Sequence, residues 1–133
     1  MALLAIAVGI TTLAMRDPSA AQLDREAVRL AALLEGARAE SRSSGVAVRF
    51  EVSSQPGESD FQFIGLPTKE PPPGRWLAEG VSAEIIGKRS LMLGPEPLIE
   101  AQRIVLRLGD RNLTLATDGL GPFAPVDAAT PAP

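Results

Sequence analysis

The first 44 residues constrain this chain more than any other part of it. Residues 1–15 (Met-Ala-Leu-Leu-Ala-Ile-Ala-Val-Gly-Ile-Thr-Thr-Leu-Ala-Met) carry no charge and are apolar all round. Arg16-Asp17-Pro18-Ser19 interrupts the run, and residues 22–41 then mix charged and apolar side chains at helical spacing. Leu23, Ala27, Leu30, Leu34 and Ala37 advance by steps of four, three, four and three, which keeps them on one helix face and predicts that they pack on a core. Asp24, Arg25, Arg29, Glu35 and Arg38 fall mostly off that stripe and are expected in water. Ser19 with Gln22 fits a capping box. Asp17 before Pro18 is an equally good start, because proline is tolerated at the first helical position. Ser43-Ser44-Gly45 supplies the stop, since glycine readily takes the left-handed conformation there.

Three readings of residues 1–15 are open. A helix of that length spans roughly 22 Å, short of the ~30 Å hydrocarbon core of a bilayer. The segment is therefore read first as the later part of a longer hydrophobic anchor. In that case Leu3, Leu4, Ile6, Val8, Ile10 and Leu13 carry its membrane and assembly surface. A secretory signal peptide has a similar apolar length, with Ser19-Ala20-Ala21 as a small-residue cleavage site, but no basic region precedes Leu3. The third reading is a helix buried in a soluble domain. The expected organisation is an anchor segment over 1–18, a globular domain over 19–126 and a disordered tail over 127–133.

After the helix the pattern is β. Val46, Val48, Phe50 and Val52 alternate with Ala47, Arg49 and Glu51, which predicts a half-buried strand. Residues 53–59 are turn-forming, and Asp60-Phe-Gln-Phe-Ile64 alternates again, predicting a hairpin. Pro71-Pro72-Pro73-Gly74 reads as a stiff loop, and Trp76 as a core or edge anchor. Two short strands are expected over 81–85 and 91–93. A hairpin over 103–117 turning through Gly109-Asp-Arg-Asn112 is the clearest β signal. A last strand between Leu120 and Val126 is confined to a sheet edge by Pro122 and Pro125. The fold class is thus α+β: a long N-terminal helix, half hydrophobic and half amphipathic, packed on two small antiparallel sheets.

Composition excludes much chemistry. The 133 residues contain no Cys and no His, so there is no disulfide framework or thiolate, and the commonest general base and nitrogen ligand are missing. Ser41, Ser43 and Ser44 cluster without a histidine to activate them. Gly119-Leu-Gly121 runs into proline with no following helix, so it is not a phosphate loop. Lys69 and Lys88 sit in turn-like, solvated sequence. No enzyme activity, metal or cofactor is expected. The net charge of -3 gives no electrostatic footprint for nucleic acid. Arg103, Arg107 and Arg111 are candidates for DNA contact only if they form a contiguous basic stripe.

Taken together, the chain resembles the GspH/FimT family of minor pseudopilins, its type II secretion members most closely. The resemblance rests on Leu33-Leu-Glu-Gly-Ala-Arg-Ala-Glu-Ser-Arg-Ser-Ser-Gly45 running into Val46-Ala-Val-Arg-Phe50. It rests also on Leu93-Gly-Pro-Glu-Pro97 and on Ile104-Val-Leu-Arg-Leu-Gly-Asp-Arg-Asn-Leu-Thr-Leu115 with Asp118-Gly-Leu-Gly121. It implies a non-catalytic subunit at the tip of a periplasmic pseudopilus that supports protein export across the outer membrane. It implies other pseudopilins as partners through the N-terminal helix and the inner membrane before assembly, with exoprotein cargo or the outer-membrane secretin as further partners. The implied location is the bacterial inner membrane, single-pass, with the globular domain in the periplasm. The family's leader, its processed glycine, methylated phenylalanine and glutamate have no counterpart before Leu4, so residues 1–15 are expected to be the later half of the family's helix. DNA-binding relatives carry an arginine-rich Gly-Arg motif near the C-terminus. Here Gly121 is followed by Pro122 and Phe123, a departure from that motif. The alternatives to the pseudopilus subunit are a DNA-binding minor type IV pilin for DNA uptake, through Arg103, Arg107 and Arg111, and a secreted periplasmic β-domain released from a signal peptide.

Overall fold

In a computed structural model the chain is described over residues 18–53, 59–67 and 74–126. The expectations for residues 1–15, for Pro71-Pro72-Pro73 and for the 127–133 tail lie outside those residues.

Helix α1 is Pro18–Ser44, 27 residues, a rod of about 40 Å. Its first residue is a proline, whose missing N–H and fixed φ suit that place. It ends at Gly45, whose φ of 74° turns the chain while its N–H donates to the Ser41 carbonyl at 2.9 Å. Leu23, Ala27, Leu30, Leu34 and Ala37 are all buried. Each leucine removed from water there stabilises the fold by ~1.5–3 kcal/mol.

Among the described residues seven strands follow: β1 Arg49–Val52, β2 Phe61–Ile64, β3 Ser82–Ile85, β4 Ser90–Met92, β5 Gln102–Leu108, β6 Arg111–Thr117 and β7 Ala124–Val126. They form two antiparallel sheets, ordered β2-β1-β4 and β3-β5-β6-β7. The helix and both sheets share one core, to which the second sheet contributes Ile104, Leu106 and Leu115 and the first contributes Phe50, Phe61 and Leu91. Phe61 is the centre of an aromatic group, with ring centroids 5.3 Å from Phe50 and 4.7 Å from Trp76. Trp76, isolated in sequence, thus finds its ring neighbour across the fold.

Three local expectations shift. The strand predicted from Val46 begins only at Arg49. The Ser41 hydroxyl donates to the Val46 carbonyl at 2.6 Å, and the Val46 N–H donates to Ser44 Oγ at 3.2 Å. Both backbone groups of Val46 are therefore taken by the helix end and are not free for a ladder. The long hairpin turns through Gly109-Asp110 alone, because Leu108 already pairs with Arg111. The neighbouring short strands β3 and β4 belong to different sheets: β3 pairs with β5, and β4 pairs with β1. Edge strand β7 carries Pro125, where the missing donor is tolerated.

Candidate assembly interface

Two charged side chains of α1 are buried, against the expectation that such residues stay in water. Arg38, predicted to be solvated, is 2% exposed. Its Nη2 donates to the Gly119 carbonyl at 2.7 Å and reaches those of Pro97 and Leu120 at 3.2 and 3.4 Å. Its Nη1 donates to the Gly121 carbonyl at 2.9 Å and lies 3.7 Å from Glu35 Oε2. The cation is thus held by carbonyl dipoles from two loops. The second loop is shaped for this by Asp118, whose Oδ1 accepts the N–H groups of Leu120 and Gly121, both at 2.9 Å. Those two amides, Gly121's first, hold the Asp118 carboxyl below the ordinary aspartate range. The amides are spent locally, and the carbonyls are left facing Arg38.

Gly119 is required in that loop. Its φ is 103°, and a Cβ there would lie 2.0 Å from the Ile99 carbonyl oxygen. The Ile99 N–H in turn donates to the Gly119 carbonyl at 3.0 Å, which ties the two loops together.

Glu26, 1% exposed, does the equivalent work nearer the start of the helix. It accepts the N–H groups of Leu77 and Ala78 at 3.0 and 2.8 Å. Gln22 Nε2 donates to it at 3.3 Å. Arg29 donates to the Arg75 carbonyl at 2.8 Å and lies over the Phe61 ring at 6.0 Å. No spacing rule singled out Glu26 or Arg38. The available signal was a Gly-rich turn with more carbonyls than a short strand can pair.

The helix face opposite the core is the candidate site. Val28, Ala32, Gly36 and Ala39 follow one another along it and are exposed, Val28 to 70%. Small and apolar side chains occupy the middle of a solvent-facing stripe where a surface helix usually places charge. The charges Asp24, Glu35 and Arg42 lie along one flank and Glu40 lies on the other, while exposed Arg25 stands on the line of the stripe one turn before Val28. A Cβ added to Gly36 would meet nothing within 4 Å. Alongside, Leu33, Gly36, Ala37 and Glu40 face Leu66 and Pro67 across an open groove. The arrangement supplies shape and no reactive group. Among the described residues no cluster of His, Cys, Asp or Glu could hold a metal ion.

The residues singled out from sequence are placed as follows. Leu3, Leu4, Ile6, Val8, Ile10 and Leu13 lie outside the described residues. Among the described residues no helix is long and apolar enough to cross a membrane. Arg103 and Arg107 share the outer face of the second sheet, opposite Ala116 and Asn112. Arg107 is paired with Glu84 at 2.9 Å. Arg111 pairs with Leu108, in phase with the buried Ile104–Leu115 pair, so it belongs to the other face. The three arginines do not form one stripe.

A long helix laid across two small antiparallel sheets, its outer face open among the described residues, is the pilin-like α+β fold. Among solved structures this fold is similar to the crystal structure of the type IV minor pilin FimU of Pseudomonas aeruginosa strain PAO1, with a TM-score of 0.61 and 15% sequence identity over 81% of this chain and 90% of that one. No protein-family model matches the sequence, and no curated protein matches it.

Proposed function

We infer that this chain is a non-catalytic minor pseudopilin, a structural subunit at the tip of a type II secretion pseudopilus that supports protein export across the outer membrane. The observation that carries the reading is the second face of α1. A helix bolted to its own domain on one side, and small and apolar on the other, is suited to pack against like helices. Close helix packing needs small residues and no chemistry. The uncharged residues 1–15 precede that face, which fits anchorage in the bacterial inner membrane before assembly, with the globular domain in the periplasm. Other pseudopilins are the proposed partners. A second reading, a minor subunit of a type IV pilus, is favoured by the likeness to FimU.

Gly36→Leu in the full chain tests the shared part of both readings. Leucine ranks next to alanine as a helix former, and glycine lies about 0.8–1 kcal/mol below alanine; nothing surrounds the Gly36 Cβ position, so the isolated subunit should be no less stable. A neighbouring helix would meet four extra carbons. The expected result is an intact subunit with failed export of secreted proteins in a strain carrying it. Failed twitching with normal export supports the type IV reading instead. Wild-type behaviour in both assays refutes both.

A further inference from the structure

Leu98 and Leu120 are 63% and 73% exposed. One exposed leucine needs no explanation. These two, however, come from separate loops that are fastened together. Arg38 Nη2 lies 3.2 Å from the Pro97 carbonyl oxygen and 3.4 Å from that of Leu120, and the Ile99–Gly119 backbone bond stands between them. The leucines therefore rise from a backbone that is already fixed, and a partner would lose little free energy in ordering it. The same loops, 94–100 and 118–122, contain three exposed acids, Glu96, Glu100 and Asp118, and no base. Lys88 bonds Glu100 from the neighbouring turn, and it holds that carboxyl below the ordinary glutamate range; Asp118 is lowered by its backbone donors. The Glu100 charge is matched by Lys88, and Glu96 and Asp118 leave the rim of this apolar pair anionic at neutral pH.

We propose that the Leu98–Leu120 platform docks a segment of a partner protein that presents an aliphatic or aromatic side chain flanked by lysine or arginine. The apolar side chain covers the leucines, and the flanking cations meet the acidic rim. Such a rim repels anionic lipid headgroups, which argues for a protein occupant. The proposal does not rest on the fibre reading, since it concerns side chains of the 94–100 and 118–122 loops and none of the Val28–Ala39 stripe.

The full chain, held in phosphatidylcholine nanodiscs and methyl-labelled at leucine, is titrated with three peptides of the forms Gly-Lys-Leu-Phe-Lys-Gly, Gly-Glu-Leu-Phe-Glu-Gly and Gly-Lys-Gly-Gly-Lys-Gly. The first should give saturable methyl shifts at Leu98 and Leu120. Binding should weaken about tenfold in L98S/L120S and about threefold in E96Q/E100Q. All four side chains are exposed, so the variants should keep the wild-type thermal midpoint and Trp76 emission. The proposal is overturned by an absent or non-saturating shift, by equal response to the acidic or glycine peptide, or by binding that survives L98S/L120S. Relaxation of both leucines by spin-labelled lipid would also overturn it, by assigning the face to the membrane. A successful titration beside a negative Gly36→Leu result would leave this platform standing and remove the fibre.

Discussion

Arg38→Met is the perturbation that best separates a structural cation from a surface one. The side chain is matched in length and remains compatible with helix, so the loss is confined to the guanidinium. Its two shortest bonds are those to Gly119 and Gly121, at 2.7 and 2.9 Å. A hydrogen bond involving a charged group contributes about 1.5–3 kcal/mol. The lower end applies here, because each carbonyl keeps a second donor: the Ile99 N–H at Gly119 and the Thr117 hydroxyl at Gly121, the latter at 2.7 Å. Removing the cation also removes its desolvation penalty, which limits the loss further. The expected destabilisation is about 2–3 kcal/mol, a fall of roughly 8–18 °C in the thermal midpoint for a domain of this size. Arg38→Lys keeps the charge but cannot fork to two acceptors, so it should fall about halfway. Trp76, the chain's one tryptophan, packs on Phe61 at 4.7 Å and reports unfolding by its emission. Arg42→Met, on the exposed last turn, is the control and should stay within ~0.5 kcal/mol of wild type. If Arg38→Met behaves like the Arg42 control, the carbonyl cage does not hold the loops and the reasoning fails.

Glu26→Ala should cost about 2–3 kcal/mol in urea unfolding, because the Leu77 and Ala78 N–H groups both lose their acceptor; a change under ~0.5 kcal/mol would show that water serves them equally well. Gln102→Leu should cost about 2–4 kcal/mol, since Gln102 Oε1 accepts the Met92 N–H at 2.7 Å and its Nε2 donates to the Met92 carbonyl at 2.9 Å, joining β5 of one sheet to β4 of the other. Asp118 contributes a pH dependence of known sign: its folded pKa is depressed, first by the Gly121 N–H and then by Leu120, so its stabilisation is complete above the unfolded aspartate pKa and is lost as pH falls through the lower folded value. The difference in thermal midpoint between wild type and Asp118→Asn should therefore shrink in the acid range, and a difference constant with pH refutes that assignment.

Much of this architecture is written in residue spacing. The four-three-four-three stripe of α1 and its glycine stop, the alternation in β5 and β6, and the edge placement of the proline-bearing β7 all follow from period and backbone chemistry. Each is a local property, decided within a few residues. Sheet membership was not legible in the same way. Ser82–Ile85 and Ser90–Met92 look like neighbours on one ladder, yet the turn between them carries the chain from one sheet to the other, and partners for each lie elsewhere in sequence. The buried charges were hidden for a related reason. Arg38 lies on the helix 59 residues before one of its carbonyl partners is even reached, and nothing within a helical window records that a distant turn will need a donor.

Those charges also decide what the helix can present outward. At about 100° per residue, Glu26 and Arg38 lie on opposite flanks of the Leu23–Ala37 stripe, one in each half of the helix. A rod resting on leucines alone could roll by a fraction of a turn, because apolar contact has no direction. Hydrogen bonds do have direction, and Glu26 pins one flank to Leu77 and Ala78 while Arg38 pins the other to Gly119 and Gly121. Rolling either way breaks one set. The Val28–Ala39 stripe is thereby held at a fixed angle to the sheets, which is what a helix must satisfy if identical contacts are to be made on both of its sides. The two groups that look most out of place on an amphipathic helix are those that give its outer face a definite direction.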